Sequence, residues 1–315
     1  MGFYIVKRII WLIPVLFVIS VVVFSIVHLI PGDPATVLLG TEAADPALLK
    51  AIKQKYGLDK PIYVQYFLWI QRVLHGDLGL SVTTGRPVSK LVAERIPYTL
   101  ELGLYALALA LLLAIPLGTL AAVRKNQAVQ WLFQGFTLLG LSIPRFWSGT
   151  MFILLFSVHL GWFTIVNFPS FMGDPLDNLR SFFLPAFTLA LPAAASIARI
   201  TRASVLEVSN MEYVLTARSK GLDERRVVFI HMLKNALLPV ITVTGIYAGY
   251  LLSGTIVVEK VFAIPGLGRL GVDAILQRDY PVLQGTVLVV VTLFTLVNLA
   301  VDILYVFVNP KIRYV

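Results

Sequence analysis

No cysteine occurs in this chain of 315 residues, and only 14% of it is charged. The first absence rules out disulfides and thiolate metal sites. The second rules out an ordinary water-facing surface, because soluble globular proteins carry roughly a quarter charged residues. Groupings that catalyse are missing too. His28, His75, His159 and His231 are scattered without the spacing of metal ligands. Glu259, Arg278 and Asp279 stand near one another in the sequence, but no nucleophile or metal cluster stands with them. A phosphate-binding loop needs G-x-x-x-x-G-K-[ST]. The nearest string, Gly135 to Ser142, lacks the lysine and lies inside an apolar run. No cofactor, no metal and no reaction of its own is expected of this chain.

What is present is hydrophobic: 58% of the residues are apolar or aromatic. A membrane span needs about 20 apolar residues to cross roughly 30 Å of hydrocarbon. Six stretches meet that requirement: Ile9–Ile30, Tyr98–Val123, Trp131–Val158, Phe182–Ile200, Leu237–Val258 and Val282–Val308. The expected fold class is therefore all-α, a polytopic membrane protein with about six transmembrane helices. The first stretch ends in Ile30-Pro31-Gly32 without a small-residue cleavage pattern, so it reads as a retained anchor and not a signal peptide. The fourth carries Pro185 and Pro192, which a spanning helix tolerates where neighbours or water satisfy the freed carbonyls.

The formal net charge is +9, and the placement of the basic residues decides what it means. With a cytoplasmic N-terminus, Lys7, Arg8, Arg124, Lys125, Arg199, Arg202, Arg218, Lys220, Arg225, Arg226, Lys234, Lys311 and Arg313 all fall inside. The short outer loops hold only Arg180, Lys260, Arg269 and Arg278. Cytoplasmic loops carry the excess of Lys and Arg, and long loops are discounted. Both termini are therefore expected in the cytoplasm. Nucleic acid is not an expected partner, because the positive charge is spread over separate loops.

Three parts follow along the chain: an anchor helix (1–30), a polar extracytoplasmic region (31–97) and a five-helix core (98–315). In the second part, Ile62 to Ile70 has the apolar periodicity of a short amphipathic helix over the outer mouth. The cytoplasmic stretch 201–236 is longer than a plain connection needs to be. Ser209 and Glu212 have capping-box spacing. Gly221 suits the left-handed position that ends a helix, with Arg218 and Lys220 in the last turn. A second helix is expected to begin at Asp223 and run toward Lys234. Tyr213, Val214 and Ala217 give the first helix an apolar face, and such a face beside basic residues is expected to be exposed to a partner.

At Tyr213-Val214-Leu215-Thr216-Ala217-Arg218-Ser219-Lys220-Gly221-Leu222 the sequence resembles the cytoplasmic loop of ATP-binding-cassette (ABC) import permeases, in their dipeptide, oligopeptide and nickel branch. Leu215-Thr216-Ala217 replaces the Glu-Ala-Ala of the wider class, Gly221 is kept, and His231-Met232-Leu233 follows at the family's distance with Lys234 in place of proline. Pro31-Gly32-Asp33-Pro34, Tyr56-Gly57-Leu58-Asp59, Gly76-Asp77-Leu78-Gly79, Ser142-Ile143-Pro144 and Arg278-Asp279-Tyr280-Pro281 resemble the same branch in order and spacing. The resemblance implies the permease fold of the type I ABC importers. It implies a second, paralogous permease forming a heterodimer, two ABC ATPase subunits and an extracytoplasmic solute-binding protein. It also implies a coupling helix at Tyr213, Thr216, Ala217, Arg218, Lys220 and Gly221, with His231 beyond it, in a bacterial or archaeal inner membrane.

Charges inside spans are costly, and they are functional hypotheses by default. Arg145 either faces a water-filled path or forms a structural ion pair with Asp302. A secondary transporter would need a coupling-ion site, for which only these two residues qualify, and it would leave the 201–236 loop unexplained. A membrane hydrolase would need a catalytic constellation that the sequence lacks.

Overall fold

The computed structural model describes residues 2–29, 46–47, 50, 59–124, 126–163 and 167–308; the side chains of residues 2–7, 9, 26–29, 252–253, 302 and 304–308 are not among what it describes. The Pro31–Pro34 and Tyr56–Leu58 motifs, Lys125, Lys311 and Arg313 therefore lie outside the described residues, and so does the side chain of Asp302. Helices α1 (Gly2–Leu29), α2 (Ile62–Leu74), α3 (Val88–Val123), α4 (Gln127–Ser142) and α5 (Arg145–Phe152) come first, α5 continuing as a π-helix over Ile153–His159. Then follow α6 (Pro175–Ser209), α7 (Glu212–Ser219) and α8 (Glu224–Arg226). A second π-helical segment, Val227–Met232, leads into α9 (Leu233–Val261), before α10 (Leu267–Leu276) and α11 (Tyr280–Val308). No strand is formed among the described residues, only an isolated bridge between Leu80 and Pro87.

Four helical stretches are long and apolar enough to cross a membrane: Val88–Val123, Pro175–Ser209, Glu224–Leu251 and Tyr280–Val301. Helix α4 and the Arg145–His159 helix qualify only together, and α1 contributes the apolar stretch Ile10–Ser25. The expected straight span Trp131–Val158 is thus corrected. It breaks at Ile143-Pro144 with a bend of 109°. Proline at 144 pushes the preceding residue out of the helical region, and Ile143 is extended at ψ 124°. The expected start of the second span at Tyr98 is also late by ten residues: α3 begins at Val88 and passes through Pro97. Packing overrides the proline there, because Val88, Leu91 and Val92 are buried against Leu267, Ala274, Val282 and Leu283.

The chain divides into two compact units, Met1–Thr99 with Pro265–Leu296, and Leu100–Ile264 with Val297–Val315. In the first, the Thr99 hydroxyl accepts from the Leu267 amide at 2.8 Å. In the second, α6 is the spine, packed by α4, α5 and α9. Its central apolar window is 72% buried even though Pro185 and Pro192 lie inside the helix. Small residues make that burial feasible. A Cβ on Gly118 would stand 2.6 Å from the Ala198 carbonyl oxygen, and one on Gly140 would stand 2.9 Å from the Ala195 Cβ. Close backbone approach of this kind is how membrane helices gain packing energy without a hydrophobic driving force between them.

Candidate functional site

The 201–236 segment forms a hairpin whose corner is fixed by backbone bonding. Gly221 takes φ +72°, its amide donates to the Arg218 carbonyl at 2.9 Å, and the Leu222 amide donates to the Ala217 carbonyl at 3.4 Å. This is the two-bond pattern that satisfies the last carbonyls of a helix when glycine follows it. Asp223 then starts the return arm, its carboxylate accepting from the Arg225 amide at 3.2 Å. The return arm runs toward Lys234 as expected and passes it. It continues through the π-helical segment into α9, because Val227, Val228, Met232, Ala236 and Val240 keep one face buried without interruption.

The expected capping box does not form. Ser209 is the last residue of α6, and its hydroxyl donates back to the Leu206 carbonyl at 2.7 Å. Met211 stands before α7 and supplies no side-chain cap. Burial of Val205 and Val208 carries α6 on to Ser209, and a serine inside a helix bonds to its own preceding turn. The expected exposed face of α7 is corrected as well. Val214 and Ala217 are buried with Val205, Val208, Val227, Val228, Met232 and Ala236 in the hairpin's own core. Of the three, only Tyr213 stays exposed, and its hydroxyl accepts from the Asn235 amide group at 2.8 Å. The outward surface is made by Met211, Tyr213, Leu215 (50% exposed), Thr216 and Lys220, with Phe229 (67%) and Ile230 on the return arm. His231 is half-buried.

Arg218 leans across the corner to Glu224 in a two-toothed fork, 2.6 Å from Nη2 to Oε1 and 3.2 Å from Nε to Oε2. The hydrogen bond with Glu224 raises the basicity of this guanidinium, against a smaller opposing effect of burial. Sequence reading missed Glu224 and Asn235 as partners. The only signal was their spacing from Arg218 and Tyr213 once the turn at Gly221 is imposed.

Arg145 occupies the elbow between α4 and α5, half-buried, with Pro144 ahead of it. A Cβ on Gly254 would lie 3.1 Å from its Cζ and 3.1 Å from Leu189 Cδ1, so glycine in α9 provides the notch that admits the guanidinium. No carboxylate among the described residues forms a salt bridge with it. An apolar cavity of about 270 Å³ lies between α4, α5 and α6, lined by Phe136, Gly140, Trp147, Met151, Phe187 and Pro192, and Arg145 takes no part in it.

Two polar clusters were not foreseen. Asp279 is 2% exposed and accepts from Ser81 Oγ at 2.6 Å, Thr83 Oγ1 at 2.9 Å and the Thr83 amide at 3.2 Å. Burial raises this carboxyl, but the hydrogen bonds from Ser81 and Thr83 outweigh it and hold the group below its ordinary value. Asn178, fully buried, donates to Glu101 at 2.9 Å and to the Pro169 carbonyl at 2.7 Å, and accepts from Tyr105 at 2.8 Å.

Residues 114–314 match the family described as binding-protein-dependent transport system inner membrane component, and residues 1–103 match its N-terminal companion. The chain belongs to that family. Permeases of it are similar along their whole length. A peptide transport system permease of Brucella abortus (strain 2308) is 42% identical over 310 residues, 98% of each chain. The glutathione transport system permease GsiC of Escherichia coli (strain K12) is 43% identical over 311 residues, 99% of each. Among solved structures, the inward-facing MetNI methionine ABC transporter matches with a TM-score of 0.57 at 20% identity, covering 70% of this chain and 96% of that one. An amino acid ABC transporter solved with histidines matches at 0.51 and 15% identity, covering 71% and 95%. These two likenesses establish the permease fold. As a binding-protein-dependent inner membrane component the chain is a multi-pass transport subunit, and its system includes a solute-binding protein and an ATPase.

Proposed function

We propose that the chain is one of two different channel-forming subunits of an ATP-driven importer for peptides or similar small solutes. The observation that carries this reading is identity above 40% over essentially the full length to permeases named for peptide and for glutathione transport. In the proposal the hairpin couples the chain to one ATPase. Tyr213, Thr216, Lys220 and the neighbouring Leu215 form the contact. Ala217, Arg218 and Gly221 set the angle at which that contact is presented, and His231 supports the return arm. The rigid glycine corner supports this assignment, since force transmission needs an arm that does not swing. Nucleotide binding would draw two ATPases together and switch the spans between inward-open and outward-open arrangements. Residues 1–30 serve as an anchor, 31–97 lie on the outer side and 98–315 form the five-helix core, with both termini cytoplasmic.

The test uses the reconstituted complex with its ATPases and solute-binding protein. Leu215→Asp leaves the buried face untouched, so it should insert normally, lose transport and lose stimulation of ATP hydrolysis by loaded binding protein. Parent-like stimulation would remove the hairpin from the coupling role. Transport by this chain with no ATPase present would overturn the importer reading as a whole. Orientation is read separately with an impermeant thiol reagent on intact cells: a cysteine at the exposed Gln277 should label and one at Ser209 should not.

For Arg145 two roles are proposed, lining of the solute path or pairing with Asp302. In the path role, assembly does not depend on this side chain. Arg145→Ala should then leave assembly intact and abolish transport. Loss of assembly, restored by exchanging the charges at 145 and 302, would identify the ion pair.

A further inference from the structure

Helix α2 is too short to cross a bilayer: 13 residues at 1.5 Å rise reach about 20 Å. Its place against α1 nevertheless puts it at membrane depth. Tyr66 shares a 2.7 Å hydrogen bond with Ser20, and its ring meets those of Phe17 and Phe24 at 6.3 Å and 5.4 Å between centroids. Trp69 meets Phe24 at 5.7 Å. Arg8 is the last charged residue before the apolar run of α1. Counted from it at helical rise, Ser20 lies about 18 Å and Phe24 about 24 Å along the axis. The hydrocarbon layer is about 30 Å thick, so α2 rests roughly 6–12 Å beneath the surface farther from Arg8. That is close to the depth of a helix lying in the boundary between headgroups and acyl chains.

The surface of α2 fits the same place. Its far side carries Tyr63, Phe67 and Leu74 at 68%, 71% and 80% exposure, with Ile62 beside them at 57%. The spacing from 63 to 67 to 74 is a single helical stripe. No charged residue occurs from Ile62 to Gln71, while Asp59 and Lys60 precede the helix and Arg72, His75 and Asp77 crowd its end. Polar groups at both ends and a bare apolar stripe between them suit a helix lying along the membrane plane.

We propose that α2 is a membrane-surface helix, with the stripe of Ile62, Tyr63, Phe67 and Leu74 covered by phospholipid of the leaflet farther from Arg8. Within the outer region 31–97, this segment is then a lateral brace for α1 and no docking platform for a soluble partner. The absence of native cysteine makes the test direct. Phe67→Cys and Asp77→Cys are labelled with a small fluorophore in the assembled complex, which is reconstituted into phosphatidylcholine vesicles whose acyl chains are brominated near the middle. The label at 67 should lose most of its fluorescence relative to unbrominated vesicles and resist aqueous iodide. The label at 77 should do the reverse. Iodide quenching at 67 equal to that at 77 would mean the stripe faces water, as a soluble partner's docking surface would. Shielding of 67 from both quenchers would mean a protein neighbour covers it. Either result overturns the proposal.

Discussion

The hairpin at 201–236 and the loop at 76–87 both hold a chain segment outside the spans, and they do so by opposite physics. The hairpin has an apolar interior of valines, alanines and Met232, a glycine corner closed by backbone bonds, and its one ion pair on the exposed rim. The loop at 76–87 is drawn onto a single buried carboxylate, Asp279, by two hydroxyls and an amide. The first arrangement tolerates loss of charge and fails when its interior is invaded. The second is indifferent to small changes of shape and fails when one charge is removed. Each therefore has a different substitution that breaks it.

The largest effect should come from Ala217→Arg. A charge placed in the hairpin interior has no partner, and such burial costs on the order of several kcal/mol. The variant is expected to lower the thermal midpoint of the solubilised complex and to expose the hairpin to protease, whereas Ser219→Arg, exposed on the same helix, should leave both unchanged. Equal sensitivity of the two would erase the distinction between inner and outer faces of α7. Next comes Asp279→Ala, which leaves the donors of Ser81 and Thr83 without an acceptor at roughly 1–3 kcal/mol.

The same carboxylate gives the loop a stronger pH dependence than the hairpin, where the hydrogen bond from Arg218 lowers Glu224 only at an exposed rim. The pKa of Asp279 in the folded chain is held below the ordinary value. Its stabilising contribution is thus complete above the ordinary carboxylate pKa and is lost as pH falls through the lowered folded-state value. Proteolysis within 76–87 of the parent should rise at acid pH, while Asp279→Ala should be cut readily at every pH. A flat profile in the parent would show that the carboxylate does not hold the loop.

Smaller effects belong to the corner and its rim. Gly221→Ala meets no neighbouring atom within 4 Å, so its cost is conformational alone, about 1 kcal/mol for a residue with Cβ in the left-handed region. Gly221→Asn should be milder, since asparagine visits that region more readily. Coupling of ATP hydrolysis to loaded binding protein should follow the same order. Smallest of all is Glu224→Gln. The pair with Arg218 is 37% and 49% exposed, and exposed pairs contribute about 0–1 kcal/mol. A shift in midpoint larger than that of Gly221→Ala would mean the fork, and not the glycine corner, holds the hairpin.

Much of this could be read along the chain because its causes are local. Gly221 and Asp223 act within a few residues of their own positions, so the corner and the start of the return arm were legible. The apolar segments were legible for the same reason, and so was the amphipathic run that became α2. The Ile143-Pro144 break was written in the sequence too, but hydropathy averaging passed over a two-residue signal. Ser209 misled because capping spacing is also local, and nothing local reveals that α6 is carried past it by burial of Val205 and Val208. The inward turn of Val214 and Ala217 was hidden likewise, since an apolar helix face looks the same whether it awaits a partner or covers its own core.

The sequence by itself determined that this is a helical membrane subunit of the binding-protein-dependent transport family, without cysteine chemistry or a nucleotide loop. Composition and apolar run length are sums over neighbouring residues, and no folding is needed to evaluate them. Only the tertiary structure decided which of those residues meet. The fork of Arg218 on Glu224, the acceptance of Ser81 and Thr83 by Asp279, and the notch that Gly254 leaves for Arg145 all join residues that packing alone brings together. The free energy of each depends on burial and distance, quantities that exist only once the helices are placed.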